Sequence, residues 1–172
     1  GSSYYDGIYI LLKEVIDNCI DEYIMGFGKK ILVEIKDNKV TVRDYGRGIP
    51  LGKLVECVSK INTGAKYNDD VFQFSVGLNG IGTKAVNALS SQFTVASYRE
   101  GKAKIATFEK GKLKNEATKK IDKPDGTLIQ FVPDEEIFGK YNFNDEFVEK
   151  RMWHYAYLNG GLKIYFNNNL FY

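Results

Sequence analysis

A chain of 172 residues with 44% hydrophobic side chains can bury one substantial core, which excludes a disordered segment. Its 24 basic residues stand against 22 acidic ones, and a net charge of +2 is too small to imply a nucleic-acid or anionic-membrane partner through bulk charge. Cys19 and Cys57 have no CxxC spacing and His154 is the only histidine, which argues against a Cys/His zinc site or a histidine-based triad and suits a reducing cytoplasm.

In chain order, Leu12, Val15, Ile16, Cys19, Ile20 and Tyr23 recur at helical spacing and predict a helix from Ile8 to Ile24, ended by Gly26 and Gly28. The alternating runs ILVEI and KVTVRD flank Asp37-Asn38 as a hairpin does, and the second run leads into the glycine loop YGRGIP. Pro50 can occupy the first turn of a helix carrying Leu54, Val55, Val58 and Ile61. The next stretch, NTGAKYNDDVFQFSVGLNGIG, has no sustained period and reads as a long loop of the kind that often serves as a lid. TKAVNALS predicts a short helix opened by Gly82, and QFTVASYR, KAKIATFEK, KLKNEATK and TLIQFVP read as an antiparallel meander. Phe147, Val148, Arg151, Met152, Tyr155 and Leu158 indicate a helix ended by Gly160-Gly161, after which LKIYF leads through Asn167 to Asn169 into LFY. The chain stops where a hairpin's second strand should begin, so the expectation is a fragment of a longer protein. No apolar run reaches roughly 18 residues and no signal-peptide pattern occurs, so the expected location is cytoplasmic with no membrane partner.

Four stretches carry polar chemistry. On a helix turning about 100° per residue, Glu14, Asp17, Asn18, Asp21 and Glu22 of KEVIDNCIDEY fall within an arc of roughly 140° opposite Ile16, Cys19 and Tyr23. A solvated helix face explains that arc. Alternatively Glu14 orients a water while Asn18, a mediocre helix former one turn on, binds a hard cation such as Mg²⁺ through its amide oxygen. In RDYGRGIP, Gly46 and Gly48 let backbone approach a ligand and Asp44 offers an acceptor at the strand end, although a tight turn has the same pattern. GLNGIGTKAVNALS sets Gly77, Gly80 and Gly82 ahead of a helix, where free amides can receive phosphate oxygens or a linker can simply flex. It is no Walker A loop, because GKS/T is missing, and no Rossmann turn, because no strand pattern precedes it. DGTLIQFVPD puts Gly126 and Thr127 at a strand start, as turn chemistry alone also would.

Taken in this order, the four stretches resemble the ATP-binding domain of the GHKL superfamily, shared by type II DNA topoisomerase B subunits, Hsp90, MutL and the sensor histidine kinases. EVIDNCIDE, DYGRGIP, GLNGIGTKAVNALS and GTLIQFVPD look most like the topoisomerase branch, the B subunits of DNA gyrase and topoisomerase IV, and the likeness covers nearly the whole chain. The resemblance implies an α+β fold, a two-layer α/β sandwich of the Bergerat type. It has a mixed, mainly antiparallel sheet, helices on one face and the ATP site between the layers.

The resemblance also implies roles. Glu14 would be the general base for the water attacking the γ-phosphate, and Asn18 would bind Mg²⁺ bridging the phosphates, so the cofactors are ATP and Mg²⁺. Asp44 would accept from the adenine amino group with Thr127 assisting through water, and Gly48, Ile49 and Pro50 would form one wall. Val15, Cys19, Val42, Val58 and Ile129 would give the apolar lining a purine requires. Glu22 and Arg47 match a salt bridge at the pocket edge, and Arg99 an arginine at its mouth. Lys66, Phe72, Gly77, Leu78, Asn79, Gly80, Ile81 and Gly82 would belong to the lid around the triphosphate. Lys84, just past it, reads as structural, and Asp17 and Asp21 have no assigned role.

Several positions depart from the pattern. Asn79 stands where gyrase-like chains commonly have histidine, and its amide can still donate to phosphate. Ile10 lies one turn before Glu14, where some relatives carry a histidine that orients the glutamate. The link from Pro50 to NTGAKY is shorter than in many gyrases, which with INTGAKY and GLNGIG favours the topoisomerase IV side. Residues 1–172 would be the N-terminal ATP-binding domain without its dimerising arm and the following transducer domain. Such a fragment is expected to be a monomer that binds ATP and turns it over slowly, whereas the full-length protein would be a homodimer working with the topoisomerase A subunit and DNA. A sensor kinase catalytic domain is the nearest alternative, although no phosphoacceptor histidine helix is present. Hsp90-like or MutL-like switches and a non-catalytic binding module remain further readings.

Overall fold

The first apolar repeat forms α1 (Ser2–Ile24), which starts ahead of the expected Ile8 and buries Ile8, Leu12, Val15, Ile16 and Cys19 along one stripe. The computed structural model describes residues 2–59 and 82–172. β1 (Lys30–Lys36) and β2 (Lys39–Asp44) make the predicted hairpin. Asp37 and Asn38 take φ of 52° and 63°, the left-handed pair of a two-residue turn whose twist matches that of the strands. Pro50 is extended, with ψ of 127°, and so precedes rather than enters the helical segment. A 3₁₀ turn (Leu51–Lys53) follows it and runs into α2 (Leu54–Val58). Ile61 and the expected lid from Asn62 to Ile81 lie outside the described residues.

The chain continues with α3 (Gly82–Ala88), then the meander β3 (Ser90–Arg99), β4 (Lys102–Glu109) and β5 (Lys112–Lys120), and returns through β6 (Gly126–Pro133). Two helices follow. α4 (Glu135–Phe138) was not legible in the sequence and is opened by Asp134, whose side chain accepts from the Glu136 amide at 2.9 Å. α5 (Asp145–Leu158) is opened by Asn144, which accepts from the Phe147 amide at 2.9 Å. β7 (Lys163–Phe166) and β8 (Asn169–Phe171) then close a hairpin of their own.

The strands form one sheet in the order β5-β4-β3-β6-β2-β1-β7-β8. Among the described residues every pairing is antiparallel except β1 with β7, where the crossover through α5 brings the chain back in the same direction. The main core lies between the sheet and the helices, with Ile16, Leu54, Phe93, Phe108, Phe131 and Met152 fully buried in it. Ala96, Tyr98 and Ala103 form a small buried cluster apart from it. This is the expected two-layer α+β sandwich.

Candidate functional site

A cleft of about 230 Å³ opens between α1, α2 and the sheet, walled by residues from all four sequence stretches. It gathers Asn18, Asp44, Gly48, Ile49, Pro50 and Thr127, together with Val15, Cys19, Glu22, Val42, Arg47, Val58, Arg99 and Ile129, each of them an expected site residue. The apolar members come from α1, β2, α2 and β6, so the floor is a part of the hydrophobic core left uncovered. A wider groove of about 560 Å³, near Arg43 and Tyr165, contains none of these residues.

Asp44 is the buried charge of the cleft, at 8% exposure. Its Oδ1 accepts from the amides of Gly46 at 2.9 Å and Thr127 at 3.2 Å, which ties the end of β2 to the start of β6. Burial holds its carboxyl above the ordinary 3.8, and the Gly46 and Thr127 amide hydrogen bonds offset part of that rise. The Cys19 thiol is pushed well above 9.0, first by burial and then by Asp44, so it stays a neutral wall group. Gly126 explains how β6 comes so close. Its φ is 145°, and a Cβ there would overlap the Asp44 carbonyl oxygen and the Arg43 guanidinium.

The GRGIP segment forms the opposite wall. Ser97, fully buried on β3, accepts from the Ile49 amide at 2.8 Å and donates to the Ile49 carbonyl at 2.6 Å, clamping both backbone groups of one residue. Gly48, with φ of 77°, allows that approach, since a Cβ would sit 3.0 Å from Ser97 Oγ and from the Tyr98 carbonyl oxygen. At the rim Glu22 and Arg47 form the expected pair, Nη2 to Oε2 at 2.7 Å, and Glu22 Oε1 also accepts from the Arg47 amide at 2.9 Å. The arginine side of the pair is half open to solvent, so it shapes the mouth more than it stabilises the fold.

At the other end of the cleft α1 faces the start of α3, where Asn18 and Thr83 line the cleft and Glu14 lies beside it without lining it. The Gly82 amide donates to Glu14 Oε2 at 3.4 Å, and Asn18 Nδ2 donates to Thr83 Oγ1 at 2.9 Å. Burial raises the Glu14 carboxyl above 4.5, the Gly82 amide pulls it back in part, and Asp17 adds to the rise. A carboxylate more basic than usual is what a proton acceptor needs. Asn18 Oδ1 is buried and has no hydrogen-bond partner among the described residues. Among those residues no cluster of three His, Cys, Asp or Glu could hold a metal. Mg²⁺ characteristically takes one or two protein oxygens and completes its shell with water and phosphate, so a single orphan amide oxygen beside a carboxylate fits it.

Lys84 Nζ is buried without a hydrogen-bond partner among the described residues, and burial lowers its pKa from 10.5. Ile10 is half exposed and does not line the cleft. Asp17 pairs with Lys13 at 2.7 Å on the solvent side, while Asp21 joins the cleft wall. Lys66, Phe72, Gly77, Leu78, Asn79, Gly80 and Ile81 lie outside the described residues. Sequence reasoning missed Ser97, Thr83, Met25 and Cys57. Nothing local distinguishes Ser97 from any other alternating strand residue, whereas Thr83 carries a hydroxyl directly after the motif glycine and was findable from that.

The sequence family described as histidine kinase-, DNA gyrase B-, and HSP90-like ATPase matches residues 8–138. The chain is 59% identical over 171 residues to the B subunit of DNA topoisomerase 4 from Borreliella burgdorferi, covering 99% of this chain and 28% of that protein. It is 39% identical to the B subunit of DNA gyrase from Archaeoglobus fulgidus, covering 92% of this chain and 27% of that one. Its fold is similar to the crystal structure of the 43K ATPase domain of Thermus thermophilus gyrase B in complex with an aminocoumarin. That likeness has a TM-score of 0.75 at 34% identity, over 94% of this chain and 43% of the other. The chain thus spans a little over a quarter of the length of the topoisomerase and gyrase subunits it matches. With a cleft whose walls come from the motifs of that family and a match running through most of the sequence, the chain belongs to the histidine kinase-, DNA gyrase B-, and HSP90-like ATPases.

Proposed function

We propose that this chain binds ATP with Mg²⁺ in the cleft and is the ATPase domain from the B subunit of a type IIA DNA topoisomerase, of the topoisomerase IV kind, coupling hydrolysis to DNA strand passage. The observation that carries the nucleotide reading is Asp44. A buried carboxylate whose Oδ1 is fixed by two backbone amides sits in a largely apolar cleft of about 230 Å³, and its Oδ2 accepts from neither amide. Such an acceptor, beside Thr127 and between apolar walls, suits the exocyclic amine of adenine. The 59% identity to the B subunit of a topoisomerase 4 supports the branch, and the working partners of the longer protein would be DNA, the A subunit and a second copy of the same chain.

The chemistry follows from the α1 face. Glu14 takes a proton from a water as that oxygen attacks the γ-phosphorus, and the bond to the β,γ-bridging oxygen breaks to leave ADP and phosphate. Asn18 would hold Mg²⁺, which when bound neutralises charge on the phosphates. Glu22 and Arg47 keep the cleft mouth shaped.

Calorimetric titration of the chain with a non-hydrolysable ATP analogue and Mg²⁺ tests the reading. Saturable heat is expected, and none at millimolar nucleotide would sink it. In the full-length protein Glu14→Ala is expected to abolish hydrolysis, by at least about 100-fold, while nucleotide binding persists. Unchanged turnover would remove Glu14 from the role of base.

A further inference from the structure

The two α1 side chains used above are both held by the first residues of α3. Gly82 donates its amide to Glu14, and Thr83 accepts the Asn18 Nδ2 donor at 2.9 Å across 65 residues of sequence. An asparagine amide has a donor end and an acceptor end on a broad, roughly two-fold torsion, so which end faces a ligand is decided by its neighbours. Here Thr83 takes the donor end. The acceptor end, Oδ1, is thereby turned away from Thr83, and it is buried without a partner among the described residues on a side chain that lines the cleft.

We propose that Thr83 is a positioning residue for the divalent cation: by accepting from Nδ2 it fixes the Asn18 amide with its oxygen free for metal. The inference rests on the reading of the cleft as a Mg²⁺–ATP site. The physical reason is simple. With the acceptor gone the amide is free to rotate, and in the rotated state an NH₂ group carrying partial positive charge meets the cation in place of the oxygen. Partners that orient a metal ligand typically account for roughly 10- to 100-fold in metal affinity, and Thr83 stands in that relation to Asn18. Thr83 also retains its own proton, because accepting a hydrogen bond uses only a lone pair of the hydroxyl.

The test measures ADP affinity of the chain in EDTA and in saturating Mg²⁺, and takes the ratio as the metal enhancement. Mn²⁺ affinity of the ADP complex, read by electron paramagnetic resonance, gives the same quantity independently of turnover. T83V keeps the branched shape and loses the hydroxyl, whereas T83S keeps the hydroxyl. The expected result is a loss of about 10- to 100-fold in Mn²⁺ affinity and a collapse of the ratio in T83V, with recovery in T83S. T83A replaces T83V should that variant not fold. A T83V or T83A protein that keeps the wild-type ratio overturns the proposal, even if its nucleotide affinity falls equally with and without metal, since that pattern marks a merely structural contact. Failure of the wild-type chain to bind ADP at all strikes the nucleotide reading instead. ADP binding with no metal enhancement in wild type overturns the metal assignment and this inference together.

Discussion

At the scale of single residues the site places unfavourable charge where a ligand can repay it. Asp44 has its carboxyl raised by burial, so the folded chain binds that proton more tightly than the unfolded chain does. Its contribution therefore favours the fold below the ordinary value of 3.8 and is lost as pH rises through the raised folded value. Asp44→Asn removes that penalty at neutral pH and is expected to leave the melting temperature of the free chain unchanged or slightly higher. It replaces a charged acceptor, whose hydrogen bond contributes about 1.5–3 kcal/mol, so nucleotide affinity is expected to drop about tenfold or more. In the wild type the affinity should weaken as pH falls through the raised value of Asp44, beginning above the pH at which an exposed aspartate protonates. Calorimetry across acidic pH checks this, and a flat profile would remove Asp44 from the binding step. Glu14 shares the raised direction through partial burial, which makes it a stronger proton acceptor than an exposed glutamate.

At the scale of elements the cleft depends on close backbone approaches. β6 meets the end of β2 only because Gly126 lacks a Cβ, and the Thr127 amide reaches Asp44 as a result. Gly126→Ala is expected to cost about 1–3 kcal/mol through its positive φ, with the overlap on Asp44 and Arg43 adding to that. Urea denaturation would report the stability loss and calorimetry a parallel loss of nucleotide affinity. An unchanged midpoint would mean that β2 and β6 can move apart at no cost. The helices show how much of this level was legible. The periodicity of α1 and the hairpin around Asp37-Asn38 were readable because each is a local property of a few residues. α4 was not, since four residues carry no period, and its Asp134 cap is recognisable only once the Glu136 amide is seen above it. Ser97 was equally hidden, because the Ile49 backbone it clamps lies 48 residues away in the chain.

At the scale of the whole molecule, one sheet and one helical layer of the described residues share a continuous core, and the cleft is its unfilled end. Phe131 sits in β6 between Val40 of β2 and Phe93 of β3 and is fully buried, so it links the hairpin to the meander. Phe131→Ala is expected to destabilise the chain by about 3–5 kcal/mol, lowering the thermal midpoint by on the order of 10 °C. Thermal unfolding followed by circular dichroism measures it, and a shift of only a degree or two would contradict a single shared core.

By itself the sequence determined most of the elements, though not α4, and the kinds of groups at the site, because helical period, strand alternation, turn residues and the order of the four motifs are encoded in short stretches. It also carried the resemblance to the ATPase family, which rests on those same stretches. Tertiary structure alone decided which groups meet. The β1–β7 parallel pairing, the Ser97 clamp on Ile49, the Thr127 amide's grip on Asp44 and the Thr83 hold on Asn18 all join residues distant in the chain. Such contacts depend on how the two layers pack over a common core, and no local pattern specifies that distance.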